Sequence, residues 1–249
     1  MTEPIPPRRI APQTGPHLWS GAALSPADWM LPLGGEIQAE IEAAPGLPAP
    51  RLDPLLAQMA ERLAHGPGFC LVRGLPVPEE PSALLGRLGS RIGRPLHTPP
   101  STGPLYTEPC DVLLLLCREA GETVLHSAAA LHNQLLKADR AVLESLYRAQ
   151  PGGTGPALPV FAVTQGVFAA RCDRVALGQS AGDALAMLDE AAATPDLPLR
   201  VVVHPGDLLC VNPFLVWASC TGNPATLALL TEPSRLAEGP FAALQPAEP

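Results

Sequence analysis

The chain has 249 residues, and its 16 basic against 24 acidic side chains give a formal charge of −8. A phosphate backbone is bound by clustered Lys and Arg that displace counterions; the basic residues here are mostly arginines standing singly among Pro, Gly and Leu, so no nucleic-acid partner is expected. A hydrophobic fraction of 47% supports a sizeable core, but the longest apolar run, Val112 to Cys117, falls far short of the ~20 residues of a membrane span, so no membrane partner is expected either.

Met1-Thr2-Glu3-Pro4 opens with neither a cationic start nor an apolar stretch, which predicts a cytoplasmic location. Residues 1–16 are proline-rich, lack periodicity and read as a loose tail. Helices are expected from Glu36 to Ala44 and from Leu52 to His65, the second with Leu55, Leu56, Met59 and Leu63 at steps of three and four. Gly66-Pro67-Gly68 breaks it, and Phe69 to Arg73 follows as a strand closed by Gly74 and Pro76. Ser82 to Ile92 is helical again.

From Leu105 onward the texture changes to short apolar runs between turns. Strands are predicted at Val112 to Cys117, Thr123 to His126, Val160 to Thr164, Val167 to Arg171, Leu199 to His204, Leu208 to Val211 and Thr226 to Thr231. Two helices interrupt them, Ala128 to Tyr147, broken near Asp139, and Ala184 to Ala193. Helices first, then strands with helical insertions, is an α+β pattern around an antiparallel double sheet. One domain over 17–232 is expected, with 233–249 a flexible C-terminal tail. The six cysteines, Cys70, Cys110, Cys117, Cys172, Cys210 and Cys220, show no Cys-x-x-Cys spacing and read as buried free thiols.

Several of these segments resemble the TauD/TfdA-like iron(II) and 2-oxoglutarate-dependent dioxygenases. His65 to Val77 (HGPGFCLVRGLPV), followed by Gly89 to Pro95, is similar to the opening of that family. Asp111 to Cys117 is similar to its strand after the first iron-binding motif. Ser127 to Leu136, with His132-Asn133, resembles its next helix, Pro159 to Phe161 its middle strand, and Pro205-Gly206-Asp207 with Asn212 its final strand pair. Together they span residues 16 to 232, and the resemblance implies a double-stranded β-helix, or jelly-roll, with flanking helices.

That family holds Fe(II) with two histidines and a carboxylate on one face, leaving room for 2-oxoglutarate and oxygen. The resemblance places the first histidine and the carboxylate at Tyr106 and Glu108, because Glu108 precedes Asp111 by the family's spacing. It places the second histidine at Ala218 or, one residue earlier, at Trp217. The nearby family arginine falls on Cys220, and the arginine that grips 2-oxoglutarate falls near Leu229. Neither Ala218 nor Trp217 can ligate iron, so no metal and no 2-oxoglutarate are expected as cofactors. The histidines at 17, 65, 97, 126, 132 and 204 share no metal-type spacing; His132 reads as a packing or hydrogen-bonding residue.

What remains is the mouth of the jelly-roll, expected to be lined by Tyr106, Glu108, Ala218, Trp217, Cys220 and Asn212 and to take a small-molecule ligand. Tyr106 and Glu108, two apart on a strand, would share a side and could act as an acid–base pair. No histidine stands near Cys220 in sequence to activate it. The chain is therefore expected to be a non-oxidising small-molecule-binding or partner subunit, in a homo-oligomer or with an active relative. The alternatives are a metal-free isomerase, lyase or cyclase using Tyr106 and Glu108 on a small organic acid or natural-product intermediate, and an oxygenase with unorthodox ligands.

Overall fold

The computed structural model describes residues 10–43, 47–96, 107–150, 156–177 and 182–245. In chain order it contains α1 (Pro26–Trp29), β1 (Met30–Leu31), α2 (Gly35–Glu42), α3 (Leu52–His65), β2 (Phe69–Val72), α4 (Pro81–Gly89), β3 (Arg94–Pro95), β4 (Val112–Leu116) and β5 (Gly121–Ser127). There follow α5 (Ala128–Ala138), α6 (Arg140–Leu146), β6 (Phe161–Thr164), β7 (Val167–Ala170), α7 (Arg174–Leu177), α8 (Gly182–Ala192), β8 (Leu199–Val203), β9 (Leu208–Val211), β10 (Val216–Cys220) and β11 (Ala225–Leu230).

The strands form a six-stranded sheet in the order β1-β2-β9-β4-β11-β3, a three-stranded sheet β10-β5-β8 and the hairpin β6-β7. β2, β9 and β4 read in sequence as unbroken apolar runs because the large sheet is covered on both faces. The period-2 alternation then divides their side chains between two cores. Phe69, Leu71, Leu115, Leu209 and Val211 belong to the core shared with the small sheet. Cys70, Val72, Val112, Leu114, Leu116, Leu208 and Cys210 belong to the core under α3 and α4. Leu52, Leu55, Leu56, Met59 and Leu63 of α3 are all buried there, as their spacing predicts; a fully buried leucine contributes roughly 1.5–3 kcal/mol.

The predicted break at Asp139 has a local cause. Asp139 closes α5 and opens α6, and its carboxylate accepts hydrogen bonds from the N–H groups of Ala141 (2.8 Å) and Val142 (3.1 Å), an N-cap in mid-sequence. The Pro205-Gly206-Asp207 turn is fixed in the same manner. Gly206 has φ of +86°, and a Cβ there would stand 2.3 Å from the Leu75 carbonyl oxygen, so only glycine fits. Asp207 accepts from the His204 N–H (3.0 Å) and stands 3.5 Å from the Arg73 guanidinium. The Arg73 and Asp207 motifs, far apart in sequence, are one bracket in space.

The described parts of both segments read as tails, 10–16 and 233–245, differ from that expectation. Ile10 is buried, and the backbone of Gln13 is gripped by Asn133: its N–H donates to Asn133 Oδ1 (2.7 Å) and its carbonyl accepts from Nδ2 (2.9 Å). Beyond β11, Leu236 and Phe241 are buried and Phe241 packs on Phe214 with ring centroids 5.3 Å apart. Proline-rich sequence lacks periodicity, but it docks when the body supplies hydrogen-bond partners for its backbone. Of the helices, α1 and α7 were not predicted; nor were β1, β3 and β10.

Candidate functional site

β10 is the strand on which the resemblance places the second iron ligand. It pairs antiparallel with β5, Val216 opposite Ser127, Ala218 opposite Leu125 and Cys220 opposite Thr123. Thr123, Leu125 and Ser127 are buried, so Val216, Ala218 and Cys220 face the core between the two sheets, and Trp217 lies on the opposite face of β10. Ala218 packs against that core. Trp217 is 0% exposed and stacks on Phe161 at 6.2 Å.

Glu108 precedes β4 in an irregular segment, not on a strand. Its neighbour Thr107 is tied down by a reciprocal pair, Thr107 N–H to the Cys172 carbonyl and Cys172 N–H to Thr107 Oγ1, both 2.9 Å. Glu108 itself is 6% exposed. Burial, and then the charges of Glu108 and Asp111, push the Cys110 thiol well above its ordinary range, and burial pushes Cys172 up to about 12. Both thiols are inert packing groups. Tyr106 lies outside the described residues, and the expected strand geometry of the Tyr106/Glu108 pair does not hold for Glu108.

Asn212, expected at the mouth, is a structural bracket. Its Nδ2 donates to the Leu63 carbonyl (3.2 Å) and its Oδ1 accepts from the Phe214 N–H (3.1 Å), which joins the end of α3 to the turn before β10. Asp111 does the same work on the other side: its carboxylate accepts from the N–H groups of Thr231 (2.9 Å) and Arg235 (2.8 Å). Arg235 in turn donates to the carbonyls of Phe168 and Ala64. Leu229 faces the core under α3 and α4, and the interior-facing positions beside it are Ala228 and Leu230, so β11 presents no cation to an acidic cosubstrate.

Cys220 has a partner that the sequence did not reveal. Its sulfur lies 3.7 Å from that of Cys117. The hydrogen bond from Cys117 is the largest of the influences that bring the Cys220 thiol down to about 7; the Gly222 N–H and the Thr123 hydroxyl add to it, and burial opposes. The same contact, with burial, pushes Cys117 up. The activating group absent from the neighbouring sequence is a second thiol 103 residues away.

The histidines lie elsewhere. His132 packs edge-on against both Phe161 (5.3 Å) and Phe168 (5.7 Å). Asn133 Oδ1 is fixed as an acceptor by Gln13, so His132 Nδ1 donates to it (3.0 Å) and Nε2 accepts from the Tyr147 hydroxyl (2.9 Å). This is the hydrogen-bonding role the sequence suggested. His17 stacks on the same Phe168 ring at 5.9 Å, His126 reaches the Ala192 carbonyl, and His97 lies outside the described residues. A surface groove of about 320 Å³ lies between α5 and α8, lined by Gln134, Lys137, Met187, Glu190 and Thr194 among others; among the described residues, none of the predicted site residues borders it.

Among the described residues no three His, Cys, Asp or Glu side chains converge on one point. The donor set also fails on its chemistry: Ala218 offers no donor atom, and Glu108 is one carboxylate where iron requires two imidazoles besides. These residues do not fit the iron that the resemblance implies. No helix among the described residues is long and apolar enough to cross a membrane.

No family model and no curated protein matches the chain. Solved structures do. An asparagine oxygenase in complex with Fe(II), 3-hydroxyasparagine and succinate superposes with a TM-score of 0.57 at 17% identity, covering 82% of this chain and 94% of that one. A taurine dioxygenase from Burkholderia xenovorans gives 0.56 at 13% identity over 82% and 88%, and the non-heme iron oxygenase OrfP in complex with Fe gives 0.55 at 14% over 81% and 93%. The chain has the α+β, TauD-like dioxygenase fold, as its motifs implied.

Proposed function

We propose that this chain is a non-oxidising member of the TauD-like dioxygenase fold, serving as a small-molecule-binding or partner subunit in place of an iron oxygenase. The observation that carries this reading is Ala218. It sits on the interior face of β10, where the resemblance calls for an iron-binding histidine, and it packs against the apolar core. Leu229 and its interior neighbours Ala228 and Leu230 add no cation for 2-oxoglutarate. The scaffold brackets are intact, with Arg73 on Asp207, Asn212 on Leu63, and Asp111 on Thr231 and Arg235. A fold kept in this order without its metal ligands serves binding or assembly.

The test is release of succinate from 2-oxoglutarate with Fe(II), ascorbate and oxygen. The expected result is no succinate above an enzyme-free blank. Multiple turnovers per chain would overturn the reading.

A second reading, metal-free acid–base catalysis, draws support from the burial of Glu108 at 6% exposure. It predicts that Glu108→Gln abolishes conversion of a candidate organic acid while Cys110→Ser leaves it intact; equal activity of parent and Glu108→Gln would remove it.

A further inference from the structure

We propose that Cys117 and Cys220 form an oxidative modification site, closing reversibly to a disulfide that ties the β4–β5 corner to the end of β10. The proposal is independent of the non-oxidising reading above and stands on where two strand pairs cross between sheets.

β4 pairs with β11 in the large sheet, Leu116 opposite Ala225, and β5 pairs with β10 in the small sheet, Thr123 opposite Cys220. Both connections, 117–120 and 221–224, therefore turn the same corner of the sandwich side by side. They are laced together there. The Arg118 and Glu119 N–H groups both donate to the Gly222 carbonyl (3.0 Å each), and the Thr221 N–H donates to the Glu122 carbonyl (3.0 Å). Arg118 and Glu119 also hold the Asn223 side chain, at 2.8 and 2.7 Å. The approach is so close that a Cβ on Gly121 would lie 2.6 Å from the Gly222 nitrogen. Cys117 is anchored as well, its N–H donating to the Asp207 carbonyl (2.8 Å) and its own carbonyl accepting from Gly206 (3.0 Å).

Two sulfurs are thus held 3.7 Å apart by backbone that other interactions already fix. A disulfide requires about 2.05 Å between them, a closure within reach of side-chain rotation at the end of a strand. Access differs between the two: Cys220 is partly exposed and Cys117 is buried. The remaining thiols are less suitable. Cys70 and Cys210 face each other across β2 and β9, but both are buried beneath α3 and α4, shut off from an oxidant.

The roles follow from these surroundings. Cys220, hydrogen-bonded by its neighbour, is the thiolate and the attacking group; Cys117, buried near Asp207, keeps its proton and resolves. With a peroxide as oxidant, the Cys220 thiolate attacks one peroxide oxygen. The sulfur–oxygen bond forms, the oxygen–oxygen bond breaks and hydroxide leaves. Cys117 sulfur then displaces the oxygen from Cys220, its proton passing to the departing hydroxide. The net step oxidises two thiols by two electrons and reduces one hydrogen peroxide to two waters. The new bond would clamp the end of the strand that carries Ala218.

The experiment exposes the full chain to hydrogen peroxide, quenches it, alkylates in denaturant, and maps an unreduced digest by mass spectrometry. The expected result is loss of two of the six thiols, a Cys117–Cys220 crosslinked peptide, and return of both thiols with dithiothreitol. Cys117→Ser is expected to stop at a sulfenic acid on Cys220 that dimedone traps, and Cys220→Ser to lose the peroxide-dependent change. No crosslink in the parent chain, or a crosslink between any other pair, would overturn the proposal without recourse to a variant.

Discussion

Asp111 holds the segment after β11 to the body of the fold, and its loss is expected to lower stability sharply. The side chain is 4% exposed, and its two oxygens accept from the N–H groups of Thr231 at 2.9 Å and Arg235 at 2.8 Å. Asp111→Ala leaves both donors without an acceptor. It also strips the half-buried Arg235 guanidinium of the neighbouring charge that offsets its desolvation. A hydrogen bond to a charged group is worth about 1.5–3 kcal/mol net, so two give about 3–6 kcal/mol, with water entry placing the result in the lower half. At roughly 2–4 °C per kcal/mol for a chain of this size, Tm falls by about 6–18 °C. The assay is thermal unfolding by circular dichroism, paired with limited proteolysis, in which cleavage within 233–245 accelerates because Arg235 anchors that segment. Asp111→Asn keeps one acceptor and falls between. A loss under about 1 kcal/mol for Asp111→Ala, with the segment still protected, would refute the bracket.

Three other expectations follow from the same geometry. Asn133→Ala removes both hydrogen bonds to the Gln13 backbone, so the Gln13 amide exchanges with solvent about 10-fold faster or more; unchanged protection would mean that Ile10 alone seats the segment. Asn212→Ala lowers stability by about 1–3 kcal/mol through the buried Phe214 N–H and Leu63 carbonyl it abandons, read as a shift in the urea midpoint at constant slope, and a neutral result would contradict the bracket. Burial holds His17, His126 and His132 below the ordinary histidine value of 6.5. Their folded forms resist protonation while the unfolded chain accepts it, so this stability is complete above about pH 6.5 and declines as pH falls through and below that value. Tm is therefore lower at about pH 5.5 than at 7.5, and an equal or higher Tm in acid would reverse the sign.

The resemblance of short motifs in the right order made the jelly-roll readable, and periodicity located most of its parts. Leu55, Leu56, Met59 and Leu63 announced α3, and an aspartate in mid-helix announced the junction of α5 and α6. β10 was missed because Val-Trp-Ala-Ser-Cys lacks a run of β-branched residues and owes its strand to pairing with β5, a tertiary cause invisible locally. Of the candidate site, the interior position of Ala218 follows from the register of β10 on β5. The roles of Asn212 and Trp217 did not follow, because a buried amide or indole looks the same in sequence whether it faces a ligand or the protein. The contact of Cys117 with Cys220 was illegible for a simpler reason: the two are 103 residues apart, and only the coincidence of two sheet-crossing corners joins them.

The most direct test of the central claim is metal content. The chain is reconstituted anaerobically with Fe(II) and 2-oxoglutarate, desalted, and measured by inductively coupled plasma mass spectrometry. With Ala218 in place of an imidazole the account predicts less than ~0.1 equivalent of any transition metal. Retention of about one equivalent would place a metal-binding set elsewhere in the chain and contradict the non-oxidising reading.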